Sequence, residues 1–233
     1  MTKELKRVSI VVLLMFLALF TSGTIIQVFA ADELKADGRN ARTLYASFSA
    51  ERGPILVDGQ PIAYSQPVDD DYKFQRVYTN GPLYAPVTGY FTLNQGNTGI
   101  EGALNDYLSG TSNQQFLDQV NAIITGQNPK GAAVELTIDP VVQQAAWDAM
   151  QQGCGGNPCK GSAVALDPST GKILAMVSSP SYDPNLLASH EGDRQSAAWQ
   201  ELRDNPDSPL QNRAISETYP PGSTFKVLTT AAA

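Results

Sequence analysis

No charged side chain occurs between Val8 and Ala31, and the run VVLLMFLALF from Val11 to Phe20 is the apolar centre of that span. As a helix, so long an uncharged stretch reaches across a hydrocarbon core of ~30 Å. Whatever follows it is therefore tethered to a membrane or has been carried through one. The flank before it holds Lys3, Lys6 and Arg7 against Glu4. Positive flanks stay on the cytoplasmic side, which puts the N-terminus inside and the residues beyond about Ala31 outside. Val28-Phe29-Ala30 ahead of Ala31 also fits the small-residue pattern of a cleaved signal peptide, so a removed leader is the alternative. The length of the uncharged span favours an uncleaved single-pass anchor in the cell membrane.

The chain has 233 residues and a formal net charge of −7, and once the N-terminal flank is set aside, 13 cations face 22 anions. No basic stripe is left to neutralise phosphates, which argues against a nucleic-acid partner. Cys154 and Cys159 lie close together in GCGGNPCK, on the side of the membrane where disulfides persist. A local disulfide is one reading and two unpaired loop thiols the other, because spacing alone does not fix the Cα separation a bridge needs. Two thiols and the single histidine, His190, do not readily supply the four ligands of a zinc site, so no metal and no cofactor is expected. His190, in the polar run SHEG, reads as solvated rather than catalytic.

Beyond the anchor, Ala31 to Arg52 is polar and suits a stalk. The apolar run ending Ile55-Leu56-Val57, the turn signal Asp58-Gly59 and the run Pro61 to Tyr64 predict a hairpin. Tyr72 to Leu93 reads as strands and loops broken by Asn80-Gly81-Pro82 and Gly89. Ile100 to Leu108 and Gln114 to Ile124 read as helices, the second with Phe116, Val120 and Ile123 or Ile124 on one face. A boundary is expected in the turn-rich stretch Gly126 to Gly131, followed by a strand over Ala132 to Ile138. Asp139-Pro140 supplies an N-cap and a first-turn proline for a helix through Gln152, with Val142, Ala145, Ala146, Ala149 and Met150 facing inward. Ser162 to Leu166 and Ile173 to Val177 form a second hairpin around Asp167-Pro168-Ser169-Thr170-Gly171-Lys172. Ser178 to Tyr219 is a long polar connection with at most one helix, Arg194 to Arg203, and connections of this length tend to be functional.

The chemistry sits near the end, in Tyr219-Pro220-Pro221-Gly222-Ser223-Thr224-Phe225-Lys226. Prolines fit ahead of a helix and the residues after Thr224 contain no breaker, so Ser223 opens a helix with Lys226 one turn on along the same face. Acyl transfer needs an activated hydroxyl, a proton acceptor in reach and donors aimed at the developing oxyanion. The free N–H groups of a first turn can be those donors. A lysine in a dry cleft loses the hydration its charged form needs and can take the serine proton. A bare S-x-x-K is weak evidence, and Ser169-Thr170-Gly171-Lys172 matches it too, inside a hairpin turn where no helix N-terminus is available. On spacing alone, a helix cap followed by a surface lysine is an equal reading of Ser223 and Lys226.

The run Tyr219 to Lys226, preceded by Asn212-Arg213-Ala214, resembles the first catalytic motif of penicillin-binding transpeptidases. The hairpin from Ala163 to Val177 with Ser179 to Asn185 is similar to the strand pair that opens their catalytic domain, and Arg52-Gly53 with Ile55 to the start of the class B N-terminal module. The closest flavour is the actinobacterial class B enzyme. The resemblance implies an α+β chain in three parts: a cytoplasmic tail and transmembrane anchor over 1–31, an extracytoplasmic pedestal module over 32–130, and the beginning of a transpeptidase domain over 131–233. It implies Ser223 as the nucleophile, acylated by peptidoglycan stem peptides or by β-lactams, with Lys226 as general base. Division or elongation proteins would be further partners. No S-x-N and no K-[ST]-G triplet occurs in these residues, so the chain is expected to be an N-terminal piece of a longer enzyme and inactive by itself. The alternatives are a penicillin sensor or β-lactamase, against which the extra module weighs, and a membrane-tethered scaffold for wall growth or division.

Overall fold

The computed structural model describes residues 2–30, 48–112, 115 and 130–232. The chain divides into two compact units, Met1–Ser47 and Phe48–Ala233, each considered by itself.

In the first unit, helix α1 (Thr2–Thr24) runs directly into a π-helical turn, Ile25–Phe29. Three of its hydroxyls bond within the helix: Ser9, Thr21 and Thr24 donate to the carbonyls of Leu5, Leu17 and Phe20. Such i−4 bonding lets a polar side chain sit in an apolar span without an orphan donor. Lys3–Phe29 is long and apolar enough to cross a membrane, by length and composition.

In the second unit, β1 (Ile55–Val57) and β2 (Gln60–Pro67) form the first hairpin. Its turn residues Asp58 and Gly59 have φ of 51° and 71°, the two positive values a type I′ turn requires. β3 (Phe74–Tyr78) pairs antiparallel with β2, and β4 (Val134–Leu136) runs parallel to β1, giving the order β3-β2-β1-β4. The strand expected over Ala132 to Ile138 is thus only as long as its short partner β1.

Helix α2 (Gly81–Thr88) stands where strands and loops were expected. Asn80 takes a left-handed conformation, φ 50°, and Pro82 occupies the first turn, so the Asn-Gly-Pro signal starts a helix instead of ending a strand. Burial of Leu83, Tyr84 and Ala85 holds this helix against the break that Pro86 would impose. Helices α3 (Gly99–Ala103) and α4 (Asn105–Leu108) divide the expected Ile100 to Leu108 helix at Leu104. The helix expected over Gln114 to Ile124 and the boundary over Gly126 to Gly131 fall almost wholly outside the described residues.

Helix α5 (Pro140–Gln152) begins as its sequence demands: the Asp139 carboxylate accepts from the amides of Val141 and Val142 at 2.8 and 3.1 Å. Its inward face differs from the expectation. Ala145 and Ala149 are exposed, and the fully buried residue is Gln143. The Gln143 amide donates to Leu83 O and Met176 O and accepts from Met176 N, tying α2 to the second hairpin. That hairpin is β5 (Gly161–Leu166) with β6 (Ile173–Ser179), paired antiparallel on their own. Cys154 and Cys159, just after α5, are bonded, with Cα atoms 5.2 Å apart.

Two apolar clusters form the core. One joins Ile55, Val57, Ile62 and Tyr78 of the sheet to Leu83 of α2 and to Ile138; the other packs Tyr90, Tyr182 and Leu187 against Trp199 and Leu202 of helix α6 (Gly192–Asp204). Beside the first lies a buried ionic cluster. Glu101 receives Arg52 at 2.6 Å and Arg76 at 2.7 Å, with all three side chains at most 3% exposed. The Tyr78 hydroxyl, 3.3 Å away, also donates to Glu101. Burial pushes the Tyr78 phenol well above its ordinary pKa, so it remains the neutral donor this arrangement uses.

His190 is not solvated. Its side chain is 9% exposed, its ring lies 4.7 Å from that of Tyr72 and 5.9 Å from that of Phe48, and its Nδ1 is 2.6 Å from Asp70 Oδ2. The polar run around it hid a partner 120 residues away.

Candidate active site

The segment that carries Ser223 leaves the body of the unit through Asn212 and Arg213. Asn212 caps helix α7 (Arg213–Ser216), its Oδ1 accepting from Ala214 N at 3.1 Å. Arg213 is 1% exposed, and its guanidinium donates to the carbonyls of Ser208, at 3.3 Å, and Asp207, while Nε faces Glu217 at 3.3 Å. Glu217 in turn accepts from the Tyr219 hydroxyl. From Thr218 to Ala232 every residue is exposed.

Gly222, with φ 54°, opens a 3₁₀ turn, Gly222–Phe225, that continues into helix α8 (Lys226–Ala231). The Lys226 amide donates to the Ser223 carbonyl, which closes the turn around the two residues. Side chains three apart eclipse one another in a 3₁₀ helix. Ser223 and Lys226 thus lie one tight turn apart along the chain, and the Thr224 amide, expected to be a free donor of that turn, is taken up by the Pro221 carbonyl at 3.2 Å.

What the expectation also required, a dry cleft, is not formed around them. Both residues are exposed, as are Phe225, Val227 and Leu228. A cavity of about 140 Å³ lies elsewhere, lined by Pro86, Ser178, Tyr182, Asn212 and Ile215 among others. The other S-x-x-K match sits in the β5–β6 turn, where Gly171 has φ 75°. There the Ser169 hydroxyl donates to Asp167 Oδ1 at 2.7 Å, and no helix follows. Among the described residues, no group of three or more His, Cys, Asp or Glu side chains is placed to hold a metal ion.

The profile of the Penicillin binding protein A dimerisation domain matches residues 52–134, and that of the Penicillin binding protein transpeptidase domain matches residues 161–233. The chain is 54% identical, over its whole length, to the peptidoglycan D,D-transpeptidase PbpA of Mycolicibacterium smegmatis, and 55% identical to that of Mycobacterium tuberculosis. The chain belongs to the class B penicillin-binding proteins. It spans about half of these relatives, covering 47% of each. Of solved structures, penicillin-binding protein A from M. tuberculosis in a ceftriaxone acyl-enzyme complex superposes with a TM-score of 0.77 at 57% identity, over 81% of this chain and 42% of that one. In this penicillin-binding protein the dimerisation profile takes in the buried Arg52–Glu101–Arg76 cluster, and the transpeptidase profile begins at the β5–β6 hairpin and contains Ser223 and Lys226.

Asn212 and Arg213, which the resemblance quoted only as flanking letters, prove to be the buried foothold of the serine-bearing segment. An Asn ahead of a short helix is an N-cap signal that could have marked the first of them. Gln143 carried no such signal.

Proposed function

We propose that the protein of which this chain forms part is a D,D-transpeptidase that cross-links peptidoglycan stem peptides through a Ser223 acyl-enzyme. The supporting observation is that Ser223 lies in a helical start with Lys226 three residues on, inside the stretch matched by the transpeptidase profile. In this reading the Ser223 hydroxyl passes its proton to the Lys226 amine as Oγ attacks the penultimate D-alanine carbonyl. The Ser223 amide stabilises the oxyanion, and the terminal D-alanine leaves as an amine after taking the proton. An amine of a second stem peptide then displaces the serine. Penicillins acylate Ser223 through the β-lactam carbonyl in the same way.

The three-part division over 1–31, 32–130 and 131–233 belongs to the same proposal, with the N-terminus in the cytoplasm, the body outside and α1 as the anchor. The pedestal module would meet division or elongation proteins. The test is replacement in cells of the full-length protein by its Ser223→Ala variant. We expect the variant to accumulate in the membrane while D,D-cross-linked stem-peptide dimers fall. Unchanged cross-linking, with redundant transpeptidases removed, would overturn the reading.

A further inference from the structure

Helix α2 offers three carbonyls that the segments after residue 140 take up. Pro86 has no N–H, so the carbonyl of Pro82, four residues earlier, has no donor within the helix. The Ser181 hydroxyl donates to it instead, at 2.7 Å. Leu83 O receives the Gln143 amide at 2.9 Å. Pro86 O receives Asn212 Nδ2 at 2.6 Å.

The third bond differs from the others in what it holds. Asn212 uses one amide for two tasks: Nδ2 grips α2, and Oδ1 caps α7. Its neighbour Arg213 is fixed from the other side, because the Ser178 hydroxyl accepts from Arg213 N and donates to Gln211 O, each at 3.1 Å. Arg213 is also the last buried residue before Ser223 in chain order. The direction in which Ser223 approaches is thus set at this foothold, and the foothold is bolted to the N-terminal module.

We infer that Asn212 is a positioning residue for Ser223, acting through its bond to the Pro86 carbonyl, so that helix α2 of the dimerisation module sets the geometry of acylation. The inference rests on the function proposed above. A displacement of about 1 Å at a reacting group can cost on the order of 10²-fold in rate, so a bond remote from the chemistry can be felt there.

The experiment uses the full-length protein and penicillin G, with the acylation rate constant separated from the non-covalent Kd and the Tm recorded for each variant. Asn212→Asp keeps the capping oxygen and turns the donor facing Pro86 O into an acceptor; Asn212→Ser keeps a cap but does not reach. Ser181→Ala removes an α2 bond that leads away from Ser223. We expect both Asn212 variants to lose about tenfold or more in the acylation rate constant, with Kd within about threefold, at temperatures where Tm shows them folded. Ser181→Ala should stay within about twofold of the wild type. If Asn212→Asp does not fold, Asn212→Ser carries the test. Wild-type acylation in a folded Asn212 variant, or an equal loss in Ser181→Ala, would overturn the inference while the proposed function stands. A wild type that forms no adduct at Ser223 would remove both.

Discussion

The protein places its charged and polar chemistry in two opposite settings. Around Glu101, two guanidiniums, a carboxylate and a phenol are buried and tied to one another and to backbone carbonyls. Around Ser223, a hydroxyl and an amine stand exposed on a helical start. In the first, removing one partner strands the others in a medium that does not solvate them; in the second, removing either costs the fold little. Groups that hold a fold are committed to each other, whereas Ser223 and Lys226, which the proposed function makes the reacting pair, are left uncommitted, and under the inference above their placement comes from Asn212.

The largest effect should come from the buried cluster. Glu101→Ala leaves Arg52 and Arg76 buried without their counter-ion and should cost about 3–5 kcal/mol. Urea unfolding followed through Trp147 and Trp199 measures it, and a loss below about 1 kcal/mol would erase the contrast. Lys226→Ala in the exposed turn should stay within about 0.5 kcal/mol in the same assay. Gln143→Leu should fall between them, at about 1–3 kcal/mol, because it strands the carbonyls of Leu83 and Met176 and the Met176 amide. Faster hydrogen exchange at Met176 N would localise that loss.

A smaller effect concerns pH. Partial burial works to raise the Asp70 pKa, but hydrogen bonds from His190 and from the amides of Tyr72 and Lys73 outweigh it and hold the group below its ordinary 3.8. A carboxyl depressed in the folded state contributes stability above its unfolded pKa and loses it as pH falls through the folded value. Asp70→Asn should therefore flatten the stability profile below about pH 4 by less than about 1 kcal/mol, since the exposed carboxylate is screened. The smallest is local. Asp167, bonded first by Thr170 and then by Ser169, should titrate at about 2, and Thr170→Val should bring it back toward 3.8 in an NMR titration.

The parts legible in the sequence are those decided locally. Asp58-Gly59 and the Asp167 to Lys172 turn specified two hairpins through residues able to take positive φ, and Asp139-Pro140 specified the start of α5. The helical start over Ser223 and Lys226 was legible because prolines precede it and no breaker follows. What escaped was decided by tertiary contact. Helix α2 overrode its breakers by burying Leu83 and Tyr84. Gln143 is polar yet wholly buried because it pairs with backbone from two other elements. His190 finds Asp70 across 120 residues, a partnership with no trace in either neighbourhood. The exposure of Lys226, where a dry cleft was expected, likewise depends on tertiary contact, which spacing does not encode.

The role of Ser223 is tested most directly by acylating the full-length protein with penicillin G, digesting it and locating the added mass by peptide mapping. We expect one modified peptide, carrying the adduct on Ser223 and absent from the Ser223→Ala variant. An adduct on Ser169 or at any other site, or a folded protein that takes up no penicillin, would contradict it.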